Sequence, residues 1–275
     1  MTKNTTVQFV QRPFADLPGE TDLVALRELV PAASVKVKLT SEYGGHEVTL
    51  VTILPLSWAA LRREGGALQV ALRTNAGSGD ASRDLADIIL QGIELKPGQA
   101  IKTARIPEVG PRLQDILDLD FPFEPVVHEG FEFLVDEGRE LDPNAKQSLQ
   151  EANETIIDTV LLPGVQSAYW CSMNETEFLR WALRFPQEKI LDGIARLHAE
   201  RKSGFAGSKF LGAFRAAGIV IPVWQLPKAQ TAEETAVAAK SFEPALLAAI
   251  ESEVPLDANQ RRARAGIVAR QVTLR

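Results

Sequence analysis

One cysteine, three histidines and no long apolar run set the first limits on this chain. With Cys171 alone, no intramolecular disulfide forms and no CxxC metal or redox site exists, so the fold rests on its core. His46, His128 and His198 are far apart, and the chain contains neither HExxH nor GxSxG. Zincin-type hydrolysis and the serine-hydrolase elbow therefore lack their motifs. No stretch reaches the ~18 apolar residues of a spanning helix, and Met1 to Thr6 is polar without a basic stretch followed by an apolar run. These absences predict a cytoplasmic protein with no membrane partner, no cofactor and no metal site.

What is present is an ordinary globular composition, 45% hydrophobic and 24% charged, which excludes disordered, fibrous and disulfide-scaffold classes. The 275 residues are roughly twice a domain of about 100–150, which favours two domains. The net charge of −6 is unevenly spread. Residues 108–158 hold fourteen Asp or Glu against three Lys or Arg, and residues 178–228 hold nine Lys or Arg against three Asp or Glu. Such segments attract outside partners or face each other within one molecule.

Along the first half, a short helix capped by Thr21 or Asp22 is ended by Pro31. Val35, Val37 and Leu39 alternate with Ser34, Lys36 and Lys38, and Val48, Leu50, Thr52 and Leu54 repeat the pattern after Tyr43-Gly44-Gly45. This period of two predicts a β-hairpin over 34–54. Leu68, Val70 and Leu72 suggest a third strand, and a helix at about 80–95 has Asp80 as its cap. An α+β domain, an antiparallel sheet with covering helices, is expected over 20–106. Residues 107–142 read as an acidic, proline-broken connector with some strand at Phe131 to Leu134.

A helix starting at Asp142-Pro143 opens a second domain, 143–256, expected to be mostly helical. After a strand at Val165 to Trp170, Asn174-Glu-Thr-Glu177 has the form of a capping box and predicts a helix to Phe185. A second helix at 188–201, the turn Lys202-Ser-Gly-Phe-Ala-Gly207, a third helix at 208–217 ended by Gly218, and a strand at Ile219 to Trp224 complete the order of a winged helix-turn-helix. Pro222 points to an edge or end strand. Two helices open at Thr231 and Ser241, and residues 257–275 form an arginine-rich tail, anchored on the acidic connector by Ile267, Val268, Val272 and Leu274 or offered to an anionic partner.

In that geometry Lys202, Lys209 and Arg215 are the candidate partner-binding residues, placed near phosphates or an acidic protein. The third helix carries few base-reading groups, so backbone or protein contact is the stronger reading, against a plain solvated face. Ser78, Asp80 and Arg83 mark a second candidate, a ligand site at the small-residue loop from Thr74 to Asp80, where N–H groups can hold an anion. The alternative for that loop is a tight turn with a capped helix, since it lacks Gly-Lys-Ser/Thr and a full GxGxxG. Cys171, at a strand end, is a nucleophile candidate weighed against a buried apolar role. Asp118 with Asp120, or Asp136 with Glu137, are carboxylate pairs for a cation or for acid–base work, against a solvated acidic surface.

The strings Arg12-Pro-Phe with Leu17-Pro-Gly-Glu20, Tyr43-Gly-Gly45, Ser78-Gly-Asp80, Gly207-Ser-Lys-Phe-Leu-Gly-Ala-Phe-Arg215 with Pro222-Val-Trp224, and Arg261-Arg-Ala-Arg-Ala-Gly266 with Arg270-Gln-Val-Thr-Leu-Arg275 resemble an uncharacterised family of actinobacterial proteins, a domain-of-unknown-function family, over nearly the whole chain. The resemblance implies a bacterial cytoplasmic protein and carries no catalytic residues. Some members bear labels of preprotein translocase or topoisomerase. One cysteine cannot build the zinc motif of the former, and no Walker motif is present for an ATPase.

The expected function is a non-enzymatic binding or regulatory protein that contacts a protein or nucleic acid through the basic winged-helix-like face. The alternatives are a small-molecule enzyme or ligand-binding protein with a site between domains, using Asp80 or Arg83 with connector carboxylates, and a structural partner in an assembly.

Overall fold

The computed structural model describes residues 9–75, 77–107, 109–136, 141–269 and 272–273, and divides into two compact units, Met1–Ile156 and Ile157–Arg275. Each unit pairs helices with a six-stranded sheet, so the chain is α+β.

The first unit begins with α1 (Glu20–Glu28) and the hairpin β1 (Ala33–Lys38) and β2 (Glu47–Val51). The cap of α1 is Gly19 rather than Thr21 or Asp22, both of which are buried within the helix. Gly19 adopts φ 65°, and a Cβ there would meet the Phe123 ring at 2.0 Å, so both conformation and space require glycine. At the other end of α1, Arg73 donates from Nη2 to the Val30 carbonyl at 2.9 Å and from Nε to that of Arg27. Orphan carbonyls at a helix end are satisfied this way, and burial lowers the Arg73 pKa.

The sheet continues with β3 (Ala60–Arg62) and β4 (Leu68–Ala71), then α2 (Ala81–Gly92), β5 (Ala100–Ile101), α3 (Leu113–Ile116), β6 (Val126–Val127) and α4 (Pro143–Glu154). Its order is β5-β3-β4-β2-β1-β6. The sheet is mixed, because β4 runs parallel to β2 while its other neighbours are antiparallel. Asp80 caps α2, as its side chain accepts from the Arg83 N–H. The strand expected at Phe131 to Leu134 is a 3₁₀ turn, Glu132–Leu134, and the connector's strand lies at β6 against Ala33 and Ser34.

The second unit contains β7 (Thr159–Leu161), β8 (Ala168–Met173), β9 (Thr176–Trp181), α5 (Gln187–Ala199), β10 (Lys209–Ala216), β11 (Ile219–Gln225), α6 (Ala232–Glu251), α7 (Ala258–Val268) and β12 (Val272–Thr273). The sheet order is β12-β10-β11-β9-β8-β7.

Two segments expected as helices, 174–185 and 208–217, are therefore strands β9 and β10, the unit is not mostly helical, and 174–226 holds no helix-turn-helix. The physical reason lies in two-residue turns. Asn174 and Glu175 both take positive φ (50° and 57°) and join β8 to β9 with Met173 opposite Thr176, so Asn174 opens a hairpin rather than capping a helix. Ala217 and Gly218 (42° and 80°) do the same between β10 and β11.

Pro222 sits on β11, between β10 and β9, rather than on an edge. Strand β9 pairs with β11 only at Val223 to Gln225, so the proline falls where that ladder has ended. The two helices expected from Thr231 and Ser241 are one, α6, which carries Pro244 and is capped by the Thr231–Glu234 box. The arginine-rich segment is mostly helix α7, capped by Asp257. It packs on α5, with Ile267 fully buried and Arg264 paired to Asp192 (2.6 Å) and Glu188. The core between sheet and helices is aromatic, with Trp224 edge-on to Phe210 and Phe242 and tilted against Trp181 and Phe205.

Candidate functional site

The chain leaves α5 through a Schellman turn. The Lys202 N–H donates to the Leu197 carbonyl at 2.7 Å and the Arg201 N–H to that of His198 at 3.0 Å, with Arg201 held at φ 59°. That position normally takes glycine, and a side chain there costs roughly 1 kcal/mol. Ser203 follows, its Oγ 2.9 Å from His198 Nδ1 and its carbonyl accepting from Trp224 Nε1 at 2.6 Å.

A second tight turn comes next. The Ser208 N–H returns to the Phe205 carbonyl at 2.7 Å, Ser208 Oγ accepts from the Phe205 N–H at 2.9 Å, and Ala206 and Gly207 both take positive φ. Because Phe205 is buried against Trp224 and Phe242, both turns are pinned to the core.

Together they line a cavity of ≈600 Å³ with His198, Arg201, Ser203, Ser208 and Lys209 on its wall and no carboxylate among its lining residues. Arg201 and Lys209 are exposed, and neither has an ion-pair partner among the described residues. Lys202 flanks them, exposed, 2.8 Å from Glu200 Oε2, and that hydrogen bond raises its pKa. Arg215 lies six residues along β10, roughly 20 Å away at strand rise, half-buried with Nη1 3.4 Å from Gln187 Oε1. Of the three cations expected to act together, the structure thus sets Lys209 on the wall of the concavity, leaves Lys202 beside it but outside the lining and paired to Glu200, and sets Arg215 apart. Arg201 was missed by sequence reasoning because the turn that presents it is made by hydrogen bonds rather than by a residue pattern.

Ser78, Asp80 and Arg83 do come together, in a different environment from an open anion cradle. Asp80 is 1% exposed. Its Oδ2 lies 3.0 Å from Arg112 Nε and 3.6 Å from Arg83 Nε, and its Oδ1 accepts from Arg112 Nη2 at 3.3 Å. Arg112 also donates to the Pro13 carbonyl at 2.8 Å. Two of the loop N–H groups are already engaged, Ser78 N–H with the Asp84 carboxylate of α2 and Asp80 N–H with Ser78 Oγ. The residue that joins this cluster from the connector is a cation, Arg112, so it forms a strut between chain segments.

Cys171 is fully buried, and burial raises its thiol pKa, which removes the thiolate a nucleophile needs. Asp118 Oδ1 accepts from the Asp120 N–H at 3.2 Å, and Asp136 pairs with Arg63. Glu137 lies outside the described residues, as do Arg270, Leu274 and Arg275 of the tail. Among the described residues no group of acidic, histidine and cysteine side chains has the arrangement to hold a metal ion, and no helix is long and apolar enough to cross a membrane.

Fold and site define an α+β chain of two units, each with its own sheet, one presenting a pinned basic concavity. The chain belongs to the family of unknown function DUF5926, whose model matches residues 13–275. Among curated proteins and solved structures, none matches the chain.

Proposed function

We propose that the protein is a non-enzymatic binding protein whose second unit grips an acidic segment of a protein partner at the 198–210 concavity. The observation that carries this reading is the pair Arg201 and Lys209, exposed on the wall of one carboxylate-free cavity whose backbone is pinned to the core. Preorganised cations lose less freedom on binding than cations on loose loops.

The charge balance favours a short acidic segment over a nucleic-acid duplex. The chain is −6 overall, and the second unit holds fifteen Lys or Arg against twelve Asp or Glu. A long polyanion meets those carboxylates as well as the concavity, whereas a few clustered carboxylates meet only the latter.

The test is fluorescence anisotropy of a labelled Glu/Asp-rich peptide with the full chain at about 20 mM salt, where screening is weak. The expected result is binding that weakens as salt rises. Arg201→Glu with Lys209→Glu weakens it at least roughly tenfold, about 1.4 kcal/mol, and Arg215→Ala leaves it unchanged. Absence of peptide binding, equal binding by the double variant, or tighter binding of duplex DNA than of peptide overturns the reading.

A further inference from the structure

Helix α4 is twelve residues long and has no buried residue. A helix of that length is marginal in water by itself and depends on burying one face. Ala145, Ser148, Leu149 and Ala152 form such a face at i, i+3, i+4 and i+7. They line a cavity of ≈590 Å³ in the first unit, walled on the opposite side by Ile53, Leu54, Leu61 and Phe131. Leu149 and Ala152 touch the core cluster around Leu54 and Phe131, while the rest of the face meets open space. Leu56, at the rim, is 82% exposed and held at φ 56°.

The wall is mainly apolar, and besides Ser57 and Ser148 its polar groups are the pair Arg63 and Asp136. The Arg63 side chain is only 10% exposed. Its Nε donates to Asp136 Oδ1 at 2.7 Å, and its Nη1 donates to the Leu134 carbonyl and lies 3.4 Å from Gln69 Oε1. Its Nη2 has no partner among the described residues. Because Asp136 balances the guanidinium charge, a carboxylate entering here competes with Asp136, while a neutral oxygen takes the unused N–H without burying a net charge.

We propose that this cavity binds an uncharged, mainly aliphatic molecule with one hydrogen-bond-accepting oxygen, a medium-chain ketone or ester in its chemistry. The aliphatic part lies under α4 and the oxygen on Arg63 Nη2. The volume falls in the range of small-molecule sites, roughly 300–1,000 Å³. The site lies in the other unit from the basic concavity and stands or falls independently of it.

The experiment uses the full chain and the neutral dye N-phenyl-1-naphthylamine, which brightens in apolar sites, with 2-decanone and decanoate as competitors. Expected are dye binding, displacement by 2-decanone at least roughly tenfold more effective than by decanoate, and slower hydrogen exchange of the α4 amides with 2-decanone present. Ser148→Phe, on the exposed side of the lining, and Ala152→Phe, closer to the core, each lower dye binding at least roughly tenfold. The proposal is overturned if the dye does not brighten, if both filling variants bind it as the parent does, if decanoate competes as well as the ketone, or if the α4 amides of the unmodified protein exchange no more slowly with ketone.

Discussion

Gly193 sits in the middle of α5 where that helix crosses α6, and replacing it with alanine tests whether main-chain approach sets the packing of the second unit. A Cβ at Gly193 would lie 2.6 Å from Ile250 Cγ1 and 2.7 Å from both Ile250 Cα and N. Carbon atoms pack at about 3.5–4.0 Å, so one helix must retreat by about 1 Å. The obstacle is backbone of α6 and cannot be relieved by a rotamer change. Overpacking of this kind costs typically about 1–3 kcal/mol, and alanine's better helix propensity returns about 1 kcal/mol. Gly193→Ala is therefore expected to destabilise the unit by up to about 2 kcal/mol.

Gly266, on α7, is the internal control, because its Cβ would meet nothing within 4 Å. The same substitution there gains propensity without a clash and is expected to stabilise by up to about 1 kcal/mol. Urea unfolding followed by tryptophan fluorescence reports on this unit, since Trp170, Trp181 and Trp224 lie in it and only Trp58 lies in the first. An unchanged or raised midpoint for Gly193→Ala, or equal losses for both variants, refutes the reasoning.

Two further outcomes follow from the first unit. Asp80→Ala removes the α2 cap and leaves Arg83 and Arg112 facing each other without their carboxylate, so a loss of about 3 kcal/mol is expected; a loss below about 1 kcal/mol in urea unfolding followed by far-UV circular dichroism shows that the cluster is not a strut. His128 stacks on Phe133 at 3.9 Å between ring centroids, with Nε2 2.8 Å from Ser34 Oγ, and burial lowers its pKa from the ordinary 6.5. The unfolded chain then takes up the proton first as pH falls, so stability is full above 6.5 and declines below it until the folded-state pKa is passed. The urea midpoint of the parent should fall between about pH 7.5 and pH 5.5, and that of His128→Phe should fall less; identical pH profiles contradict the assignment.

Much of the first unit was legible because its signals are local. The alternation at Val35, Val37, Val48 and Leu50 gives β1 and β2, and the Asp80 cap and the Asp142-Pro143 start mark α2 and α4. What escaped was set by distant segments. The parallel pairing of β4 with β2 depends on β3 forming the outer partner of β4, and β3 is only three residues long. The helix and strand patterns conflict in β10, where a bulge between Phe210 and Gly212 breaks the period of two. Phe210, Leu211, Phe214 and Ala217 consequently imitate a helix face, as Phe178, Trp181, Ala182 and Phe185 do around β9, and tertiary pairing overrides the local pattern.

The same conflict explains what survives of the candidate site. Lys202 is expected on the turn and Lys209 at the start of a third helix that does not exist, yet both stay beside that turn whichever structure follows it, because only six residues, Ser203 to Ser208, lie between them. Arg215 is expected on that same helix, six residues on, and a strand of that length carries it roughly 20 Å away instead of under two turns of helix, about 9 Å. A residue next to a turn is robust to an error in the neighbouring element, whereas one farther along that element inherits the error in full. The basic concavity therefore rests on Arg201 and Lys209, whose positions are set by the α5 Schellman turn and the buried Phe205, and the contrast between Lys209 and Arg215 is the discriminating comparison in the peptide-binding experiment.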